Sequence, residues 1–259
     1  MNDVDLNIVC YKWGSLYNSN DVNVLYNMVC RNLTKRFKFY CVTDNGEGIN
    51  PEVNIVDLPR SDLPGNSPKL WTFSDNFLGL NKGDLVVSLD IDIVIVGNID
   101  FLADNPESNF VIAKHRASKA KVRGHGAVYR LRVGSHPEIW NDFIASPEKF
   151  GMAFPGLNGN AFSEQDWLES KFGPDAIVYF PEEKIILFRS DCNARAPSYV
   201  LGRKAGYYGL TLAMIGDAKL PGKGEAIVSF AGKVKPADVM HGHSGHLRRA
   251  PFVANYWKL

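Results

Sequence analysis

The chain has 259 residues, 45% hydrophobic and 22% charged, with a formal net charge of +1, enough for a compact soluble protein of one large α/β domain or two closely joined halves. No apolar run approaches the roughly 20 residues that cross a bilayer. The start MNDVDLNIVCYKWG lacks a basic region followed by an apolar core, so nothing marks the chain for export and a cytoplasmic protein is expected.

In chain order, LNIVCY (6–11) reads as a buried strand. Val22, Leu25, Tyr26, Val29 and Leu33 then share one helical face, with Ser19, Asn20 and Asp21 able to cap its start. FKFYCVT (37–43) and VNIVDL (53–58) are strands, KLWTFSDNF (69–77) is helical, and VVSLDIDIVIVGNID (86–100) is an apolar strand-like run with two aspartates in it. This β-α-β-β-α-β order predicts a mostly parallel sheet that binds ligands at the carboxyl ends of its strands. Further on, 136–150 and 163–172 are predicted helices, and AIVYF, KIILF and AIVSF strands; 151–160 and 216–224 are loops.

Cys10, Cys30, Cys41 and Cys192 show no CxxC or Cys/His metal spacing, which suits a reducing compartment. Charge is unevenly spread. From Lys184 onward there are 12 Lys or Arg against four acids, and Lys114–Arg132 carries seven basic residues and no acid. Such stretches are solvated loops or receive an anionic ligand.

Asp90 and Asp92 need an explanation, because a buried charge costs several kcal/mol unless it is answered. Carboxylates at i and i+2 on an extended chain point to one side and can converge on a divalent cation. Alternatively, the pair ends the strand and bonds turn amides.

The order LNIVCYKWGSLYNSNDVNVLYNMVCRNL, FYCVTD, KLWTF, LVVSLDIDIVIVGNID, SEQDWL and AIVSFAGKVKP resembles bacterial and phage glycosyltransferases of the GT-A fold. These are related to the retaining enzymes typified by glycogenin and the lipooligosaccharide galactosyltransferases. The resemblance runs from about residue 6 to about residue 239. It implies one α/β GT-A domain over 1–259, Rossmann-like, with a nucleotide-binding half to about residue 100 and an acceptor-binding and catalytic half beyond.

The resemblance also implies roles. Asp90 and Asp92 hold Mn2+ or Mg2+ on the diphosphate of a nucleotide sugar, Asp92 as direct ligand and Asp90 shared with ribose or sugar hydroxyls. Tyr11, Lys12 and Trp13 meet the base, Asp44 contacts base or ribose, and Lys69 reaches phosphate or sugar oxygens. GKVKP supplies a diphosphate clamp through Gly232 and Lys235. Glu164, Gln165 and Asp166 lie near the reacting sugar. His125 stands where relatives carry an asparagine that touches the donor sugar. Where relatives of the glycogenin type place a metal-ligating histidine, this chain has Ser229, Phe230 and Ala231, and His243, in the cluster with His241 and His246, is the first choice of replacement.

The implied activity is transfer of a sugar, expected from a UDP-sugar, to an acceptor hydroxyl with retention. The acceptor is a glycan, a lipid-linked or other hydroxyl compound, anionic if Lys119, Lys121 and Arg123 face it. The alternatives are a glycosyltransferase of modified DNA bases and a non-catalytic binder of sugar nucleotides.

Overall fold

The computed structural model describes residues 5–60, 62–63, 65–115, 124–147, 164–172, 177–193, 216–230, 232, 234–244 and 247–259. The chain forms two compact units with interleaved segments: 1–23, 34–91 and 100–180 make the first, and 24–33, 92–99 and 181–259 the second.

Unit 1 is built on a seven-stranded sheet. Its strands are β1 (Leu6–Lys12), β2 (Phe37–Thr43), β3 (Asn54–Asp57), β4 (Leu85–Leu89), β6 (Phe110–Lys114), β7 (Gly124–Arg132) and β8 (Val178–Tyr179), in the order β3-β2-β1-β4-β7-β6-β8. β7 is antiparallel to both its neighbours, and the other pairings are parallel. Every residue of β1 and β4 is buried, as expected of central strands covered on both faces. Helices α2 (Pro137–Ile144) and α3 (Glu164–Lys171) belong to this unit. Its core includes stacked Phe110 and Phe172, with ring centroids 4.6 Å apart, and Phe73 against Tyr129 at 5.8 Å. Arg130, fully buried on β7, donates to the carbonyls of Leu102, Asp104 and Asn105.

Helix α1 (Ser19–Asn32) buries Val22, Leu25, Met28 and Val29. Its start is fixed by a reciprocal pair: Asn18 N donates to Asp21 Oδ2 at 3.0 Å, and Asp21 N to Asn18 Oδ1 at 3.1 Å. The N-cap is therefore Asn18, one residue ahead of the expected Ser19, Asn20 and Asp21, and Asp21 is its reciprocal partner in the first turn.

Unit 2 holds a three-stranded sheet of β5 (Ile93–Ile95), β9 (Ile185–Leu187) and β10 (Ile227–Ser229). β10 lies in the middle, antiparallel to β5 and parallel to β9. Short helices α4 (Pro236–Met240) and α5 (Val253–Tyr256) follow. Arg31 donates to the carbonyls of Tyr256, at 2.8 Å, and Lys258, at 3.2 Å, tying the end of α1 to the last helix.

Two expectations are corrected, and one strand was not anticipated. The run 86–100 is two strands: β4 stops at Leu89, Ile91 and Asp92 form a turn, and β5 joins the other sheet. The Asp90 amide still donates to Ala127 O on β7 at 2.8 Å, and the chain turns immediately after it. The predicted helix 69–77 is 3-10, Ser67–Phe73 and then Phe77–Gly79, since Pro68 starts the first piece and extended Ser74 ends it. A strand not anticipated, β6, pairs with β7.

Candidate active site

The end of β4 gathers charge from four parts of unit 1. Lys69, on the 3-10 helix, reaches Asp90 Oδ1 at 2.5 Å, Gly126 O on β7 at 2.9 Å and Glu164 Oε1 at the start of α3 at 3.4 Å. The side chains of Lys69 and Glu164 are 6% and 3% exposed, that of Asp90 32%. Burial alone would push the Lys69 ammonium down. The carboxylates of Asp90 and Glu164 outweigh it and hold the group well above the ordinary lysine range. One ammonium faces two carboxylates, and Glu164 Oε2, fully buried, has no hydrogen-bond partner among the described residues.

The backbone is shaped for this meeting. On β7 the register against β6 jumps between Tyr129, opposite Ile112, and His125, opposite Ala113. Gly126, Ala127 and Val128 thus bulge out of that ladder, which leaves the Gly126 carbonyl to Lys69 and that of Ala127 to the Asp90 amide. Gly126 is required by space, since a Cβ there would lie 2.7 Å from Glu164 Oε1 and 3.3 Å from Gln165 Cγ. Beneath Lys69, Thr72 Oγ1 donates to Lys69 O at 2.7 Å. It also shares hydrogen bonds with the hydroxyls of Tyr11, at 2.7 Å, and Tyr129, at 3.0 Å. Three buried hydroxyls thereby fix the turn that carries the lysine.

His125, 7% exposed, accepts from Ala127 N at Nδ1 over 3.4 Å, which puts the proton of the neutral ring on Nε2. Burial, with His115 and Lys69 adding to it and Asp90 opposing, lowers its pKa to about 4. Gln165 and Asp166 follow Glu164 on α3, both partly buried. Burial, with Glu169 adding to it, raises the Asp166 carboxyl.

At the ends of β1 and β2, the Lys12 ammonium is buried. It donates to Asn45 O at 2.9 Å and Thr43 Oγ1 at 3.2 Å, with Asp44 Oδ1 3.9 Å away. Asp44 Oδ2 accepts from Gly14 N at 2.8 Å. Tyr11 sits in the core and offers no face to a base; Trp13, half-buried, is the aromatic of that segment with exposed surface.

In unit 2, Asp92 is buried, 7% exposed, and its carbonyl accepts from Phe230 N at 3.4 Å. Gly232 has φ +92, a conformation that favours glycine. Lys235 N donates to Asp238 Oδ2 at 2.8 Å at the start of α4. His243 is exposed just beyond that helix. Among the described residues no three His, Cys, Asp or Glu side chains gather as a metal cage. The carboxylate oxygens of Asp90 and Asp92 are donors of the kind that suits Mg2+ or Mn2+, hard cations that take one or two protein carboxylates and complete their shell with phosphate and water oxygens. Lys119, Lys121, Arg123 and His246 lie outside the described residues.

No family model and no curated protein matches the sequence. Solved structures do. The glycosyltransferase GlyE of Streptococcus pneumoniae TIGR4 aligns over 97% of this chain and 60% of its own, at 13% identity and a TM-score of 0.60. The fold is that of the GT-A glycosyltransferases. Galactosyltransferase LgtC, solved with donor and acceptor sugar analogues, aligns over 89% of this chain and 88% of its own, at 12% identity and a TM-score of 0.58. This chain spans about 60% of the length of the GlyE chain. No helix among the described residues is long and apolar enough to cross a membrane.

Sequence reasoning did not anticipate the Lys69–Glu164 contact, the spatial need for Gly126 or the support from Thr72. The spaced glycines of GHGA (124–127) were the available signal for the bulge.

Proposed function

We propose that the protein is a glycosyltransferase that moves a sugar from a nucleoside diphosphate donor, a UDP-sugar, to an acceptor hydroxyl with retention at the anomeric carbon. The observation that carries this reading is the buried, unanswered Glu164 Oε2 beside the Lys69–Asp90 pair at the carboxyl end of β4, in a fold shared with GlyE and LgtC. A buried acceptor without a donor is costly to leave empty. A hydroxyl-rich ligand supplies donors of the right kind, and carboxyl ends of parallel strands are where such folds bind ligands.

In this reading Lys69 holds Asp90 and Glu164 in fixed positions before the donor arrives, so that no reorganisation is needed at the moment of reaction. Glu164 Oε2 accepts from a donor-sugar hydroxyl, and its negative charge favours the positive charge that builds at the anomeric carbon. Asp90 and Asp92 hold Mn2+ or Mg2+, which, when bound, offsets the charge gathering on the departing diphosphate. Gly232 and Lys235 bind that diphosphate. The acceptor brings a free hydroxyl, and the charges of Lys119, Lys121 and Arg123 suit an anionic acceptor.

A thermal-shift screen of nucleotide sugars with Mn2+, followed by product analysis, tests the proposal. A donor at 100 times its Kd adds about 2.7 kcal/mol, and Asp92→Asn abolishes transfer. Full activity in Asp92→Asn would remove the metal assignment, and no response to any nucleotide sugar would remove the function.

A further inference from the structure

β9 and β10 are parallel, with Leu187 opposite Ser229, so both chains leave the sheet at the same edge. Two residues beyond β9 comes Arg189, and three beyond β10 comes Gly232. Phe188 stacks on Phe230, with centroids 4.4 Å apart and planes 13° from parallel, which holds the two exits together. The turn Phe188–Cys192 is shaped by its own acid, as Asp191 Oδ2 accepts from Leu187 N at 2.9 Å and Ser190 Oγ at 3.0 Å.

The consequence is a guanidinium beside a left-handed glycine. A Cβ at Gly232, where φ is +92, would lie 3.7 Å from Arg189 Nη2. Arg189 is exposed, and no acceptor among the described residues pairs with its guanidinium. Ser229 and Phe230, just ahead of the glycine loop, are buried and uncharged, whereas Arg189 brings a positive charge to Gly232.

We infer that Arg189 binds the donor's diphosphate together with Gly232 and Lys235, as a phosphate-binding residue at the carboxyl ends of β9 and β10. The inference rests on the nucleotide-sugar reading above. Glycine lets the backbone come close to the ligand, Lys235 adds a point charge, and the planar fork of an arginine matches two phosphate oxygens at once. An exposed guanidinium keeps its water until the ligand arrives, so the empty site is not costly.

Isothermal titration of the full chain separates the possibilities, using UDP, uridine and inorganic pyrophosphate as probes on wild type, Arg189→Gln, Arg189→Lys and Lys235→Ala. Arg189→Gln should weaken UDP and pyrophosphate roughly 10- to 100-fold, the range for a charge-assisted hydrogen bond. It should leave uridine unchanged, and Arg189→Lys should recover part of the loss. Wild-type UDP affinity in Arg189→Gln, beside a loss in Lys235→Ala, overturns the inference and leaves the nucleotide-sugar reading standing. An equal loss of uridine affinity also overturns it, because the residue would then act on the fold. Failure of the wild-type chain to bind UDP, GDP, ADP or pyrophosphate overturns the reading on which the inference rests.

Discussion

The end of β4 and the ends of β9 and β10 treat charge in opposite ways. At the first, Lys69 is enclosed and answers two carboxylates and a carbonyl, with Thr72, Tyr11 and Tyr129 fixing the turn below it. At the second, Arg189 stands in solvent on a short turn. Buried charge demands partners in the folded state itself, because breaking a pair leaves an uncompensated ion. Exposed charge makes no such demand and stays available to a ligand. The first region should therefore couple stability to function, and the second should change binding with little effect on stability.

The sharpest break comes from Lys69→Met. It strands Glu164 beside a partly exposed Asp90 and should cost about 3 kcal/mol, the lower end of the range for halving a buried pair, measured by urea unfolding. A loss below about 0.5 kcal/mol would mean that solvent already screens the cluster.

Acid should act on the first region next. His125 stays neutral in the fold down to a pKa of about 4, whereas an unfolded histidine protonates near pH 6.5. Between these values the unfolded chain takes up more protons, so stability falls as pH drops from about 6.5 towards 4, by about 2 kcal/mol at pH 5 from this residue. Unfolding curves at pH 7 and pH 5 for wild type and His125→Gln should differ by that share of the slope. Identical slopes would place the ring in contact with water.

Removing one supporting hydroxyl, in Tyr129→Phe, should cost about 1 kcal/mol. It should lower kcat more than the donor KM if the turn beneath Lys69 serves the reaction. Lys235→Ala, in the second region, should move the unfolding midpoint least, within about 0.5 kcal/mol, yet weaken UDP binding on the order of 10-fold or more. A large stability loss there would erase the contrast between the regions.

The two regions also differ in how legible they were. β1, β2 and β4 are apolar runs that announce themselves, and Asp90 and Asp92 stand out against one of them. The glycine and lysine of GKVKP were readable through the resemblance. What stayed hidden depends on distance along the chain. Lys69 and Glu164 meet across 95 residues, and the bulge at Gly126–Val128 gives two of its carbonyls to Lys69 and Asp90. The split of 86–100 between two sheets and the interleaving of the two units likewise arise from pairings no local period encodes. Arg189 reads as one more basic residue of a basic stretch until parallel pairing sets it beside Gly232.

Release of UDP from a panel of UDP-sugars, followed with Mn2+ present in wild type and in Glu164→Gln, tests the central claim most directly. The wild-type chain should turn over at least one donor. In Glu164→Gln turnover should fall on the order of 100-fold or more, as for removal of one preorganised charge-stabilising group, with UDP affinity unchanged. Wild-type turnover in Glu164→Gln, or no donor consumed by either protein, would remove the proposed role of Glu164 or the transfer itself.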